Sequence, residues 1–384
     1  MPQLWRLLRA RLGYMRAVAG KATTDQREPP KSAVGGRGEA YRCFIATLFW
    51  VGICIAILAP RANSDVSILL RGAGSTFSAP LYKKWIDEYN VSHHDISITY
   101  DAVGSGEGVK RFLAQAVDFA GSDEILSNGE IAQLPGAVML PVTAGMIVLA
   151  YNIPGVNSEI KLPRDVYVDI FARKIRRWDD PRIGAANPGI VFPRRDIALV
   201  ARLEGSGTTA AFTNHLAAIG PWWRAAGMGV GKQFEWPGGV LLAPSNEGVA
   251  ARIRLSEGSI GYVEFWFAQR LGLRMAALQN KSGGFITPTA SAGELALSGR
   301  VPQVTELAAS VADPDDPGAY PITSYSWILL YPEYRDRTKG NAVQEFVRWG
   351  LSQPGQSFAA QLGYLPLSDD VVSIGKQVLG SIAQ

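Results

Sequence analysis

Arg202 and Glu204 stand two residues apart, immediately before Gly205-Ser206-Gly207-Thr208. A guanidinium offers a fork of donors, and small residues ahead of a helix let free backbone N–H groups approach a ligand. Together they are the parts of an anion site. Arg202 would neutralise an oxyanion and Glu204 would orient the arginine. The plainer reading is a surface ion pair, which contributes little. Two further Gly/Ser/Thr turns occur earlier, Gly72-Ala73-Gly74-Ser75-Thr76-Phe77 and Gly104-Ser105-Gly106. Each alone is an ordinary turn. Three in one chain, each ahead of a helical pattern, suggest a shared target.

Asp123 is the residue that does not fit a simple anion cradle. A carboxylate repels an anion unless that anion carries a proton to donate. Phosphate does so near neutral pH and sulfate does not. Sulfate would face the carboxylate acceptor to acceptor, leaving an unpaired buried group at ~1–3 kcal/mol. Capping a helix that starts near Ile125 is an equal alternative for Asp123.

Other chemistries lack their parts. The Gly72-x-Gly74 pair has Phe77 where a dinucleotide loop needs a third glycine, and the Gly205 turn has no lysine before Thr208, as a P-loop requires. Ser105, Ser122, Ser206 and Ser259 lack the flanking glycines of a nucleophile elbow. His93 and His94 fall in a polar loop and His215 inside a helical pattern, without ligand spacing. Catalytic residues, a metal site and a cofactor are therefore not expected. A phosphatase built on the same cradle is the enzyme alternative.

The elements that would hold these residues alternate. Strands are expected at Ile68 to Leu70, Ile96 to Tyr100, Val117 to Ala120, Val138 to Tyr151, Ile197 to Val200, Ser259 to Val263 and Ile322 to Tyr331. Helices follow at Ala79 to Tyr89, Val109 to Ala116, Ser127 to Gln133, Ala210 to Ala218 and Asn246 to Leu255. Pro221 to Pro237 reads as aromatic surface, and Ala292 to Leu297 is left open. The pattern predicts an α/β architecture with mixed, mostly parallel sheets, in which ligands sit off the carboxyl ends of strands. The long stretch from Val138 could cross between two domains.

The 384 residues carry a formal charge of +4, unevenly spread. Residues 1–64 hold 10 Lys/Arg against 3 Asp/Glu, and the remainder holds 28 against 31. The basic balance belongs to the N-terminal stretch, so it is no argument for nucleic-acid binding. Residues 43–60 form a charge-free apolar run, followed by the small residues Ala62-Asn63-Ser64. With the basic residues ahead of it, this reads as a secretory signal; a retained membrane anchor is the alternative. Cys43 and Cys54 both fall in this stretch, leaving no thiol after it.

Several segments resemble the periplasmic phosphate-binding proteins of phosphate ABC importers: GAGSTFSAPLYKKW, VGSGEGVKRF, VDFAGSDEILS, YNIPGV, DIFARKIRRWDDPRI, LEGSGTTAAFT, GSIGYVE and YPITSYSWILL. The resemblance covers nearly everything after residue 66. It implies a two-lobed type II binding-protein fold, with residues 66–143 and 283–384 in lobe I and 144–282 in lobe II, joined by hinge strands. It implies a monomeric, exported, periplasmic receptor for inorganic phosphate that serves membrane permease subunits. Carried over by position, the ligand contacts are Thr76, Phe77 (through its N–H), Ser105, Asp123, Arg202, Ser206, Gly207 and Thr208, with Glu204 in support. Glu204 replaces a common aspartate. Ser75 is alanine in some relatives and is expected to matter little.

Overall fold

The computed structural model describes residues 68–298 and 310–382; the apolar run at 43–60 and its cysteines lie outside the described residues. The chain divides into two compact units, 1–64 and 65–384, and only the second contains described residues. Its strands, in chain order, are β1 (Ile68–Gly74), β2 (Ile96–Ala102), β3 (Phe119–Ser122), β4 (Val138–Asn152), β5 (Lys161–Leu162), β6 (Ala198–Arg202) and β7 (Leu241–Ala243). There follow β8 (Ser259–Glu264), β9 (Arg274–Met275), β10 (Ala277–Gln279), β11 (Phe285–Ile286), β12 (Ser310–Ala312) and β13 (Ile322–Leu330).

One mixed sheet runs β2-β1-β3-β13-β4-β8-β6-β7. Its two flanks, β2-β1-β3 and β8-β6-β7, are parallel. Between them β13 is antiparallel to both β3 and β4, and β4 is antiparallel to β8. The parallel flanks follow from strand–helix alternation. The antiparallel centre comes from β13, which returns from far along the chain to lie between β3 and β4.

β4 is the spine. Residues 138–146 pair with β13, and Ile147 onward pairs with β8. Every residue from Met139 to Tyr151 is buried. That explains its unbroken apolar reading, since a strand covered on both faces has no solvent side to alternate with. Gly145 lies against the Phe77 ring, where a side chain would not fit.

The expected elements are present, with shifted ends. β1 runs on through Gly72-Ala73-Gly74, pairing with β2 and β3, so the turn begins only at Ser75. The helix expected from Val109 starts at Ser105, and the one expected from Ala210 starts at Gly207. Glycine-rich first turns have poor helix propensity, which hides such starts from a propensity reading. The 221–237 stretch is not simply surface. Trp223 is fully buried in the middle of a short helix, Pro221–Ala225, and stacks with Phe234. Residues 290–297 form a helix capped by Thr289.

Candidate anion-binding site

β6 ends at Arg202, at the carboxyl edge of its parallel flank. The chain then turns through Glu204-Gly205 into the helix Gly207–Ile219, whose N-cap, Ser206, accepts the N–H of Thr209 at 3.2 Å. β1 ends at Gly74 on the opposite flank and delivers Ser75, Thr76 and Phe77 before the helix Ala79–Tyr89. The helix Ser105–Leu113 begins immediately after β2, and Asp123 immediately follows β3. All are carboxyl ends of parallel strands, and these ends face one another.

The contacts between flanks are direct. Arg202 Nη2 donates to Thr76 Oγ1 at 3.0 Å and Nη1 to Thr208 Oγ1 at 3.3 Å. The backbone N–H of Gly106 donates to the carbonyl of Gly205 at 3.0 Å. A Cβ on Gly207 would lie 2.7 Å from both Asp123 Cβ and Ser105 Oγ, so only glycine permits this approach. Gly104, with φ +92°, packs against Glu204. Thr76, Phe77, Ser105, Asp123, Arg202, Ser206, Gly207 and Thr208 are thus gathered and buried.

Electrostatics follow from that burial. The Arg202 side chain is 1% exposed and paired with Glu204, whose Oε1 accepts from both Nε and Nη2. Glu204 Oε1 also accepts the N–H of Ser245 at 3.0 Å, fixing it from a second element. A desolvated cation with one carboxylate partner retains strong attraction for a further anion. The Gly207 and Thr208 N–H groups sit in a helix first turn, which lacks intrahelical acceptors for them.

Asp123 does not cap a helix. The next helix is capped by Ser127 with Glu130, a reciprocal box. The Asp123 carboxylate faces the site instead, taking hydroxyl protons at Oδ1 from Ser75 (2.6 Å) and Ser326 (2.8 Å). Ser105 Oγ stands 3.4 Å from Oδ2. Burial pushes the pKa of Asp123 up to about 6, opposed by the Ser75 and Ser326 hydrogen bonds, by Arg202 and by Ser105.

Ser75 therefore does matter here, contrary to expectation. Besides holding Asp123, its Oγ accepts the Phe77 N–H at 3.0 Å, so that N–H reaches a ligand only in competition with the hydroxyl. Ser326 on β13 and Asn246 on the helix Ser245–Leu255 were missed. Ser326 is separated from Asp123 by some 200 positions, and no local pattern joins them. Asn246 follows β7 through Pro244-Ser245, a fourth strand-to-helix turn that lacks the glycines of the other three. Another unforeseen link is Lys232, whose Nζ lies 3.0 Å from Glu130 and 3.4 Å from Glu124 on the opposite flank. Its carbonyl accepts the Ser206 N–H.

The histidines behave as packing groups. His215 is buried with Nε2 2.8 Å from the Tyr167 hydroxyl, and burial pushes its pKa down to about 3. His93 stacks on Tyr89. Among the described residues no group of His, Cys, Asp and Glu has the arrangement of a metal site.

Comparison with known proteins gives the chain a family. A family model described as "PBP superfamily domain" matches residues 21–354. The chain is 33% identical over 315 residues to the phosphate-binding protein PstS of Xylella fastidiosa, spanning 82% of this chain and 85% of that protein. It is 34% identical over 317 residues to the PstS of Haemophilus influenzae, spanning 82% and 91%. The chain belongs to the PstS family of phosphate-binding proteins. The α/β fold of this chain is shared with a phosphate-binding protein from Stenotrophomonas maltophilia. The TM-score is 0.65 at 21% identity, over 81% of this chain and 94% of that one. No helix among the described residues is long and apolar enough to cross a membrane.

Proposed function

We propose that this chain is an extracytoplasmic receptor that captures inorganic phosphate between two lobes and delivers it to the permease subunits of an ABC importer. The observation that carries the reading is the convergence of Asp123 with Arg202 and three strand-to-helix turns contributed by both flanks of the sheet. The donors Thr76, Ser105, Arg202, Ser206, Gly207 and Thr208, with the Phe77 N–H once released from Ser75, would hold the ligand's unprotonated oxygens. Asp123 would accept the remaining proton, which sulfate lacks. Residues 66–143 and 283–384 make one lobe and 144–282 the other. Phosphate closes them because it contacts both only in the closed state.

The reading is a monomeric receptor rather than an enzyme. The buried Ser75 and Ser326 hydroxyls are engaged in holding the Asp123 carboxylate, and the cradle is built to hold an anion. Relatives named for phosphate binding and the apolar run at 43–60 support export to the periplasm, with the signal cleaved. Calorimetry on protein lacking residues 1–64 and stripped of phosphate tests the assignment. Tight phosphate binding with sulfate excluded is expected; equal binding of the two ions would overturn it.

A further inference from the structure

Thr76 Oγ1 receives three N–H groups: Arg202 Nη2 at 3.0 Å, the Asn246 backbone N–H at 3.2 Å and Asn246 Nδ2 at 3.1 Å. Thr208 Oγ1 receives two, Arg202 Nη1 and Asn246 Nδ2, both at 3.3 Å. A hydroxyl oxygen has two acceptor positions and one proton. Both oxygens are filled as acceptors, and each retains only its O–H to give. Asn246 cannot reverse its amide without loss, because Oδ1 accepts the Glu264 N–H at 3.1 Å. Asn246 is fully buried, so no solvent competes for these positions.

We propose that Asn246 is a positioning residue that fixes the polarity of the Thr76 and Thr208 hydroxyls, making both obligate donors toward an oxyanion. The inference rests on the phosphate-receptor reading and specifies the ionic form that the site takes. Thr76 and Thr208 then meet ligand oxygens that bear no proton, and a protonated oxygen is directed to Asp123. Hydrogen phosphate, with one proton, satisfies this arrangement. Dihydrogen phosphate has a second proton, which would press against a filled acceptor. The ionisable groups around this cluster are Arg202, Asp123, Glu204 and, beyond Asn246, the buried Glu264, whose pKa burial raises well above the ordinary carboxylate range.

The test titrates phosphate into phosphate-stripped wild type, Asn246→Ala and Asn246→Asp from pH 5.5 to 8, with urea melts of each protein. Wild-type affinity should fall as dihydrogen phosphate replaces the dianion. The alanine variant should lose on the order of tenfold at pH 8, the equivalent of one hydrogen bond. Its decline toward acid pH should be shallower, because the Thr208 oxygen, left with Arg202 Nη1 alone, can accept a phosphate O–H, whereas Thr76 keeps Arg202 Nη2 and the backbone N–H of residue 246. The aspartate variant should lose more than alanine at pH 8, since a carboxylate there draws the threonine protons away from the ligand. A loss of the same factor at every pH would show a merely structural role and overturn the proposal, as would unchanged binding. Should Asn246→Ala fail to fold, Asn246→Ser reports the same pH slope. Wild type that binds no phosphate at any pH would instead overturn the receptor reading itself, and this proposal with it.

Discussion

The least comfortable residue in the molecule is Asp123, a carboxyl group 2% exposed whose pKa is raised from an ordinary 3.8 to about 6. Keeping it ionised at pH 7 costs the fold about 3 kcal/mol. Because the folded pKa is the higher one, this group's contribution to stability is complete below pH 3.8 and lost as pH rises through 6. His215 runs the other way. With its pKa lowered from 6.5 to about 3, its contribution is present above pH 6.5 and lost as pH falls below that value. The two slopes oppose each other between about pH 6 and 4. Asp123→Asn removes one of them. In phosphate-free urea melts the variant should exceed wild type at pH 7.5 by up to about 3 kcal/mol, and the advantage should vanish near pH 4. A variant no more stable at pH 7.5 would contradict the burial argument. The same change should weaken discrimination of phosphate from sulfate, because an amide can donate where a carboxylate only accepts.

At the level of elements, the two flanks of the sheet meet through a few short loops, and glycine decides how closely. Gly207→Ala should leave the unfolding midpoint of the phosphate-free protein nearly unchanged, because the clash arises only when the flanks close. Phosphate affinity should nevertheless fall by tenfold or more; wild-type affinity would mean that Asp123 or Ser105 can yield. Lys232 makes a second contact between the flanks, part-buried between Glu124 and Glu130. Lys232→Met keeps the stem but leaves two part-buried carboxylates facing each other. The expected result is faster phosphate release with little change in capture rate, measured by stopped flow; an unchanged release rate would remove the lysine from closure. Much of this was readable from sequence. Arg202, Asp123 and the three glycine turns announce themselves through local chemistry at strand ends. Ser326, Asn246 and Lys232 do not, because their roles depend on pairings across 100 to 200 residues between separate elements. The antiparallel centre was hidden for the same reason: β13 reads as an apolar strand whichever way it runs.

On the scale of the molecule, the sheet changes hands between Met146 and Ile147. Before that point β4 belongs with β13 and the β1 flank; after it, with β8 and the β6 flank. The C-terminal helices return to the first flank, where Gly350 packs against Trp85 and Trp85 Nε1 donates to the carbonyl of Gly355. Both ends of the described chain therefore anchor in the same half, and the other half is an excursion out along β4 and back. Under a pulling force applied at the two termini, the load path runs through β1, β13 and the C-terminal helices and bypasses the β6 flank. That flank should be the later one to yield, and bound phosphate, held by Asp123 on one flank and Arg202 on the other, should bring it into the load path. In optical-tweezers extension traces, two rips without phosphate should merge into one larger rip with it. Two separate rips at saturating phosphate would show that the ligand does not couple the halves mechanically.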